Sequence, residues 1–185
     1  MRSALRRLYE LAGIVGGIFM VLLLAFVLYS VGPGIGLWLD QTFGLPNPFP
    51  YVARSADEFA GYAMLASAFL ALASTFGRGE HIRVTLFLQR LQGRPRRLAE
   101  IWCLALGSLL SGYLAWFSIR LCWQSWQIGD VSTGLIAFPL WIPQVGMAAG
   151  AAIFFLAVVE QLAVVLAGGA PMTEPSAEEA GHLER

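Results

Sequence analysis

The side chains that could hold a metal, run redox chemistry or carry an ion are few in this sequence, and their spacing limits what they can do. There are two histidines, His81 and His182, and neither lies in an apolar run. No histidine pair is therefore placed to ligate haem or a metal inside a helix. The two cysteines, Cys103 and Cys122, stand at opposite ends of one apolar run. Nineteen residues of helix span about 28 Å, while a disulfide needs Cα atoms within ~7 Å. Both cysteines read as small apolar packing residues. HExxH, GxSxG and glycine-rich phosphate-loop patterns are absent from the sequence, which argues against an enzyme. Glu160 is the ionisable residue best placed to serve a transport path. It precedes Leu166 by six residues, about 9 Å of helix, so it reads instead as interfacial or structural.

The prominent chemistry is basic. All twelve basic residues are arginine, and six of them fall between Arg78 and Arg97. Arg2, Arg6 and Arg7 form a second cluster. The stretch Phe76–Leu91, FGRGEHIRVTLFLQRL, is a polar hinge between two long apolar runs and carries His81. Within it Val84, Phe87, Leu88 and Leu91 follow i, i+3, i+4, i+7 spacing, with Arg83 and Arg90 together on another face. That pattern predicts a short amphipathic helix in a membrane interface. Gly93 would end it, and Pro95 suits the first turn of the next helix. The alternative is a solvated connector whose arginines serve topology alone.

The elements that position these residues are apolar. The chain has 185 residues, 57% hydrophobic and 13% charged, with a mean hydropathy of +0.66. Soluble domains carry about 25% charged residues, so the class is integral membrane. A spanning helix needs about 20 mostly apolar residues. Four stretches qualify: between Glu10 and Asp40, between Glu58 and Arg78, between Glu100 and Arg120, and from about Pro143 to Leu166. None alternates with period two, which favours helices over barrel strands. The first apolar core, about 21 residues, exceeds the ~7–15 of a signal peptide, and no A-x-A cleavage pattern follows it, so it reads as a retained anchor.

Four spans put both termini and the middle loop on one side. That side holds both arginine clusters, so the positive-inside rule makes it cytoplasmic, N-in and C-in. Trp38, Trp123, Trp126 and Trp141 then fall at the outer interface and Trp102 near the inner one. The first outer loop, about Trp38–Asp57, contains Pro46, Pro48 and Pro50, which forbid a regular helix there. Glu58 follows at the head of span two, where a helix N-terminus favours a carboxylate. The second outer loop runs from Trp123 to about Ile142, with Pro139 and Pro143 blocking helix entry. Gly13/Gly17, Ser108/Gly112 and Gly146/Gly150 are small-xxx-small pairs that let helices approach closely. Residues 1–168 are expected to form the membrane domain, and 169–185 an acidic, disordered cytoplasmic tail.

Three motifs carry a family likeness. GRGEHIRVTLFLQRL resembles the signature of the small membrane subunit of tripartite ATP-independent periplasmic (TRAP) transporters, the DctQ-like family. Arg78, Gly79, His81, Ile82 and Val84 match it, and Thr85 stands where that family has aspartate. DEFAGY, Asp57–Tyr62, is similar to the family's E-E-x-x-R-Y, with Gly61 in place of the arginine. STGLIAFPLWIP, Ser132–Pro143, resembles its S-x-x-L-x-x-P-x-W. Gly150 matches a later glycine, while Ala149 replaces a proline. The likeness covers roughly residues 5–168.

The resemblance implies a four-helix, non-enzymatic scaffold in a bacterial inner membrane. Its implied partners are a large permease subunit, a periplasmic substrate-binding protein and membrane lipid, with no nucleic acid. No cofactor is expected in this chain, and sodium ions are expected at the large subunit, which would move an organic anion such as a carboxylate. The candidate interface or anchor residues are Arg78, His81, Arg83, Glu58, Pro139 and Trp141. The rival readings are an accessory subunit of another membrane complex, a small stand-alone four-helix exporter, and a membrane enzyme or redox subunit.

Overall fold

Hydrocarbon offers no partner to a backbone N–H or C=O, so a chain this apolar must close its hydrogen bonds inside each segment. The computed structural model, which describes residues 2–44, 55–77, 94–134 and 136–168, does so with four helices and no named strand among the described residues. They are α1 (Arg2–Phe43), α2 (Ala56–Gly77), α3 (Arg94–Ile128) and α4 (Trp141–Leu166). All four contain stretches long and apolar enough to cross a membrane. The predicted interfacial helix on Val84–Leu91 and the predicted tail at 169–185 lie outside the described residues.

Two helices are longer than the sequence reading expects. α1 has 42 residues and α3 has 35, or about 63 and 52 Å against a hydrocarbon core of about 30 Å. α1 continues through Pro33 and Trp38 to Phe43, where a loop from Trp38 was expected. A proline in a spanning helix is tolerated because neighbouring groups can satisfy the freed backbone. α3 likewise carries Trp123 and Trp126 on helix rather than loop. It ends at Gly129, whose φ of +69° lets Asp130 N donate to Ser125 O at 3.0 Å, a left-handed glycine cap. Pro95 and Pro143 each sit in a first turn, where the missing N–H costs no intrahelical bond.

The helices stand in a row. α1 packs on α2, α2 on α4, and α4 on α3, with only slight contact between α1 and α4. α2 and α4 are the centre, and α1 and α3 are the edges. Lipid tails are as apolar as leucine, so such packing depends on close van der Waals fit rather than on the hydrophobic effect. Small residues provide the fit. A Cβ on Gly150 would stand 2.6 Å from the Phe69 backbone carbon, and one on Gly146 would stand 2.9 Å from Ala66 Cβ. Gly112 receives the Phe155 ring in the same way. In α1 the expected pair is displaced by one position. Gly17 faces open space, and Gly16 meets Ser67, Leu70 and Ala71.

Candidate functional site

The row has two ends, and each is closed by side chains. At one end α2 begins, α4 begins, and residues 129–140 connect α3 to α4. Two backbone bonds, Ser132 N to Phe138 O at 2.8 Å and Leu140 N to Asp130 O at 3.0 Å, fold this connection into a hairpin. Val131 and Pro139 face each other between them. That position asks neither residue to donate a ladder bond, so proline fits there.

The hairpin brings Ser132 and Gly134 onto the head of α2. Tyr62 Oη donates to Glu58 Oε1 at 2.6 Å, one helical turn away. The Ser132 hydroxyl donates to Ile136 O at 3.1 Å, beside the Glu58 carboxylate and the Tyr62 hydroxyl. Glu58 lies so close to Gly134 that a Cβ there would collide with its carboxylate. Ser30 of α1 donates to Asp57, which ties the first helix to the same corner. Glu58 thus does more than sit at a favourable helix end: it fastens α2 to the hairpin.

Aromatic rings line the space below this corner. Phe138 lies against both Phe59, at 5.4 Å between centroids, and Tyr62, at 6.1 Å. Phe26 of α1 stacks on Phe59 at 5.8 Å. A cavity of about 200 Å³ opens beside them, lined by apolar side chains of α1, α2 and α4 with Phe138. Trp141, the first residue of α4, offers its carbonyl to Cys122 Sγ at 3.5 Å and so joins the ends of α3 and α4.

At the opposite end α1 begins and α4 finishes. Tyr9, almost fully buried, donates to Glu160 Oε2 at 2.7 Å. This one bond links α1 to α4, which otherwise touch little. Arg97 donates to the carbonyls of Val165 and Leu166 at 3.3 and 3.5 Å. A guanidinium there answers both the orphan carbonyls and the negative end of α4. Arg6 and Glu10 pair at 3.3 Å on an exposed face, a contact worth little in water.

Of the residues singled out from sequence, Glu58, Pro139 and Trp141 therefore meet at the hairpin end. Arg78, His81 and Arg83 lie outside the described residues. The sequence places Ser132 at the head of a motif and Gly134 in the same connection without giving either a role, and it does not single out Tyr9 or the role of Arg97. Tyr9 and Glu160 are 151 positions apart, so no spacing rule could pair them. Arg97 could have been assigned to the end of α4 only once α3 and α4 were known to be neighbours. The stretch Ser132–Gly134 carries a usable signal, since a glycine close to a serine in a short connection suggests close approach.

This arrangement joins helices to one another. Three carboxylates accept from a hydroxyl within the row: Glu58 from Tyr62, Asp57 from Ser30, and Glu160 from Tyr9. A family model described as "Tripartite ATP-independent periplasmic transporters, DctQ component" matches residues 48–168, about two thirds of the chain. The matched stretch holds α2, α3, α4 and the hairpin, and α1 lies before it. The search of curated proteins found no match.

Proposed function

The chain belongs to the DctQ component family of tripartite ATP-independent periplasmic transporters, and from that premise we propose that it is the fixed scaffold on which the large permease subunit works. In this reading a periplasmic binding protein delivers an organic anion, a carboxylate, and the large subunit moves it with sodium ions. The small subunit holds that partner upright in a bacterial inner membrane. Both termini face the cytoplasm, on the side of the arginine clusters.

One observation carries the scaffold role. Glu160 and Asp57 each accept from a hydroxyl of a different helix, and Glu58 accepts from Tyr62 of its own helix beside the hairpin, so these carboxylates fix the row rather than line an open path. A conducting route uses polar groups that can exchange partners with a solute. A brace uses them to fix distances. The row gives a further mechanical reason: two central helices clamped at both ends resist shear, and long outer helices resist tilting.

Arg78, His81 and Arg83 anchor the cytoplasmic face in this proposal, against lipid phosphate or the large subunit. Each basic residue near anionic lipid contributes about 1 kcal/mol, so the three act together. Replacing all three should lower the yield of the complex and its uptake; unchanged yield and uptake would refute the anchor. The scaffold role is tested by reconstitution. The chain alone in vesicles should pass no carboxylate, whereas the chain with its large subunit and binding protein should restore sodium-dependent uptake. Flux through the chain alone would favour the stand-alone exporter.

A further inference from the structure

The two edge helices of the row present very different faces to their surroundings. On α1, the exposed side chains from Leu11 to Leu28 are apolar and carry no hydrogen-bond donor, Ile14, Ile18, Met20 and Val21 among them, with Tyr29 one residue beyond. Such a surface is satisfied by acyl chains and asks for nothing else. α3 is two-faced in another way. Toward α4 it buries Leu104, Ser111, Ala115, Ser118 and Ser125. On the opposite face Trp102, Leu106, Leu109, Tyr113, Trp116 and Trp123 are all exposed. With Arg120 they form one stripe with alternating steps of four and three residues, a helix-pairing seam.

Depth makes this stripe costly to leave in lipid. Tryptophan and tyrosine favour the two membrane interfaces, where their polar tips find water. Trp102 and Trp123 fit that rule. Tyr113 does not, because it stands at the midpoint of the apolar stretch Arg97–Ile128, about 15 Å from either belt. Tyr113 is 64% exposed and Trp116 is 66% exposed. Among the described residues, the Tyr113 hydroxyl, the Trp116 indole N–H and the Arg120 guanidinium have no hydrogen-bond partner. They lie at i, i+3 and i+7, so three donors point the same way within about 11 Å. Hydrocarbon leaves the two deeper donors, on Tyr113 and Trp116, unsatisfied, while Arg120, about 4.5 Å of helix below Trp123, can reach the interface. Trp, Tyr and Arg are also the side chains that dominate buried protein contacts.

We propose that the Trp102–Trp123 stripe of α3 is the surface that docks a transmembrane helix of the large subunit, whose acceptor oxygens, including a carboxylate level with Arg120, receive the three donors. The inference rests on the scaffold reading. It places the partner on the α3 edge and leaves the apolar α1 edge to lipid.

The test uses the complex purified from membranes. A benzophenone-bearing amino acid is placed at position 109, 113 or 116 on α3, and at 18, 21 or 28 on α1. Illumination should attach the large subunit at the α3 positions and leave the α1 positions free of it. In parallel, the triple variant Tyr113→Leu, Trp116→Leu, Arg120→Leu removes the donors but stays lipid-compatible. It should insert and melt like the parent while recovery of the large subunit falls on the order of tenfold. Attachment at α1 alone, attachment at α3 only to lipid or to a second copy of this chain, or unchanged recovery from the triple variant would each overturn the proposal. If no large membrane subunit accompanies even the unmodified chain, the scaffold reading itself fails, a result distinguishable from the others.

Discussion

The seam between α2 and α4 and the seam between α1 and α2 are both built from small residues, yet they meet in different ways. Across α2–α4 the approach is backbone to backbone: Gly150 lies on the main chain of Phe69, with imagined Cβ contacts of 2.6 to 2.8 Å. Across α1–α2, Gly16 stands 3.2 to 3.4 Å from its nearest neighbours by the same measure. The central seam has no room to give, and the outer seam has a little. The comparison teaches where this protein keeps its geometry fixed. α2 and α4, both inside the matched family stretch, are locked together, and α1 is laid against α2 and pinned by Ser30–Asp57 and Tyr9–Glu160.

The largest effect should come from Gly150→Ala. The new methyl can be accommodated only by parting α4 from α2, and overpacking of this kind costs about 1–3 kcal/mol. Thermal unfolding in detergent should show a clear loss, and an unshifted midpoint would mean that the central seam is looser than described.

Next comes the carboxylate clamp at the hairpin. Gly134→Ala should push Glu58 off Tyr62 and Ser132, at about 1 kcal/mol for the lost bonds. Glu58→Gln should cost a similar amount. Because both act on one cluster, the double variant should lose less than the sum of the two. Simple additivity would show that Gly134 and Glu58 do not act together.

Tyr9→Phe removes the bond that joins α1 to α4. Side-chain bonds inside membrane proteins average about 0.6 kcal/mol in double-mutant cycles, so the stability change should be small. Its sharper readout is local: hydrogen exchange should rise in the first turns of α1 and stay unchanged in α2. Uniform exchange across the bundle would remove Tyr9 as a pin.

The smallest effect should have the opposite sign. Gly17 has nothing within 4 Å, so Gly17→Ala gains helix propensity at no steric cost and should stabilise by roughly 0.5–1 kcal/mol. Gly16→Ala should lose most of that gain to Ser67 and Ala71. A destabilised Gly17 variant beside an unaffected Gly16 variant would reverse the assignment of the α1 face.

Much of this was legible beforehand. Four apolar runs and their helical state follow from hydrocarbon's lack of hydrogen-bonding partners, and Gly146/Gly150 announced a close seam by spacing alone. The ends of α1 and α3 were misjudged for one reason. A tryptophan reads as the edge of a span, whereas Trp38, Trp123 and Trp126 ride on helices that run beyond it. Choosing Gly17 over Gly16 failed because a four-residue spacing identifies a possible face without saying which face has a neighbour.

Composition and periodicity alone decided the solvent and the number of crossings, because both depend on transfer of local sequence from water to lipid, and three short motifs carried the resemblance to a transporter subunit. Helix order across the row, the pairing of Tyr9 with Glu160 and of Glu58 with the hairpin, and the direction in which α3 turns its aromatic stripe were decided by the tertiary structure. Those features join residues far apart in the chain, and an apolar helix looks the same from every side until its neighbours cover one of them.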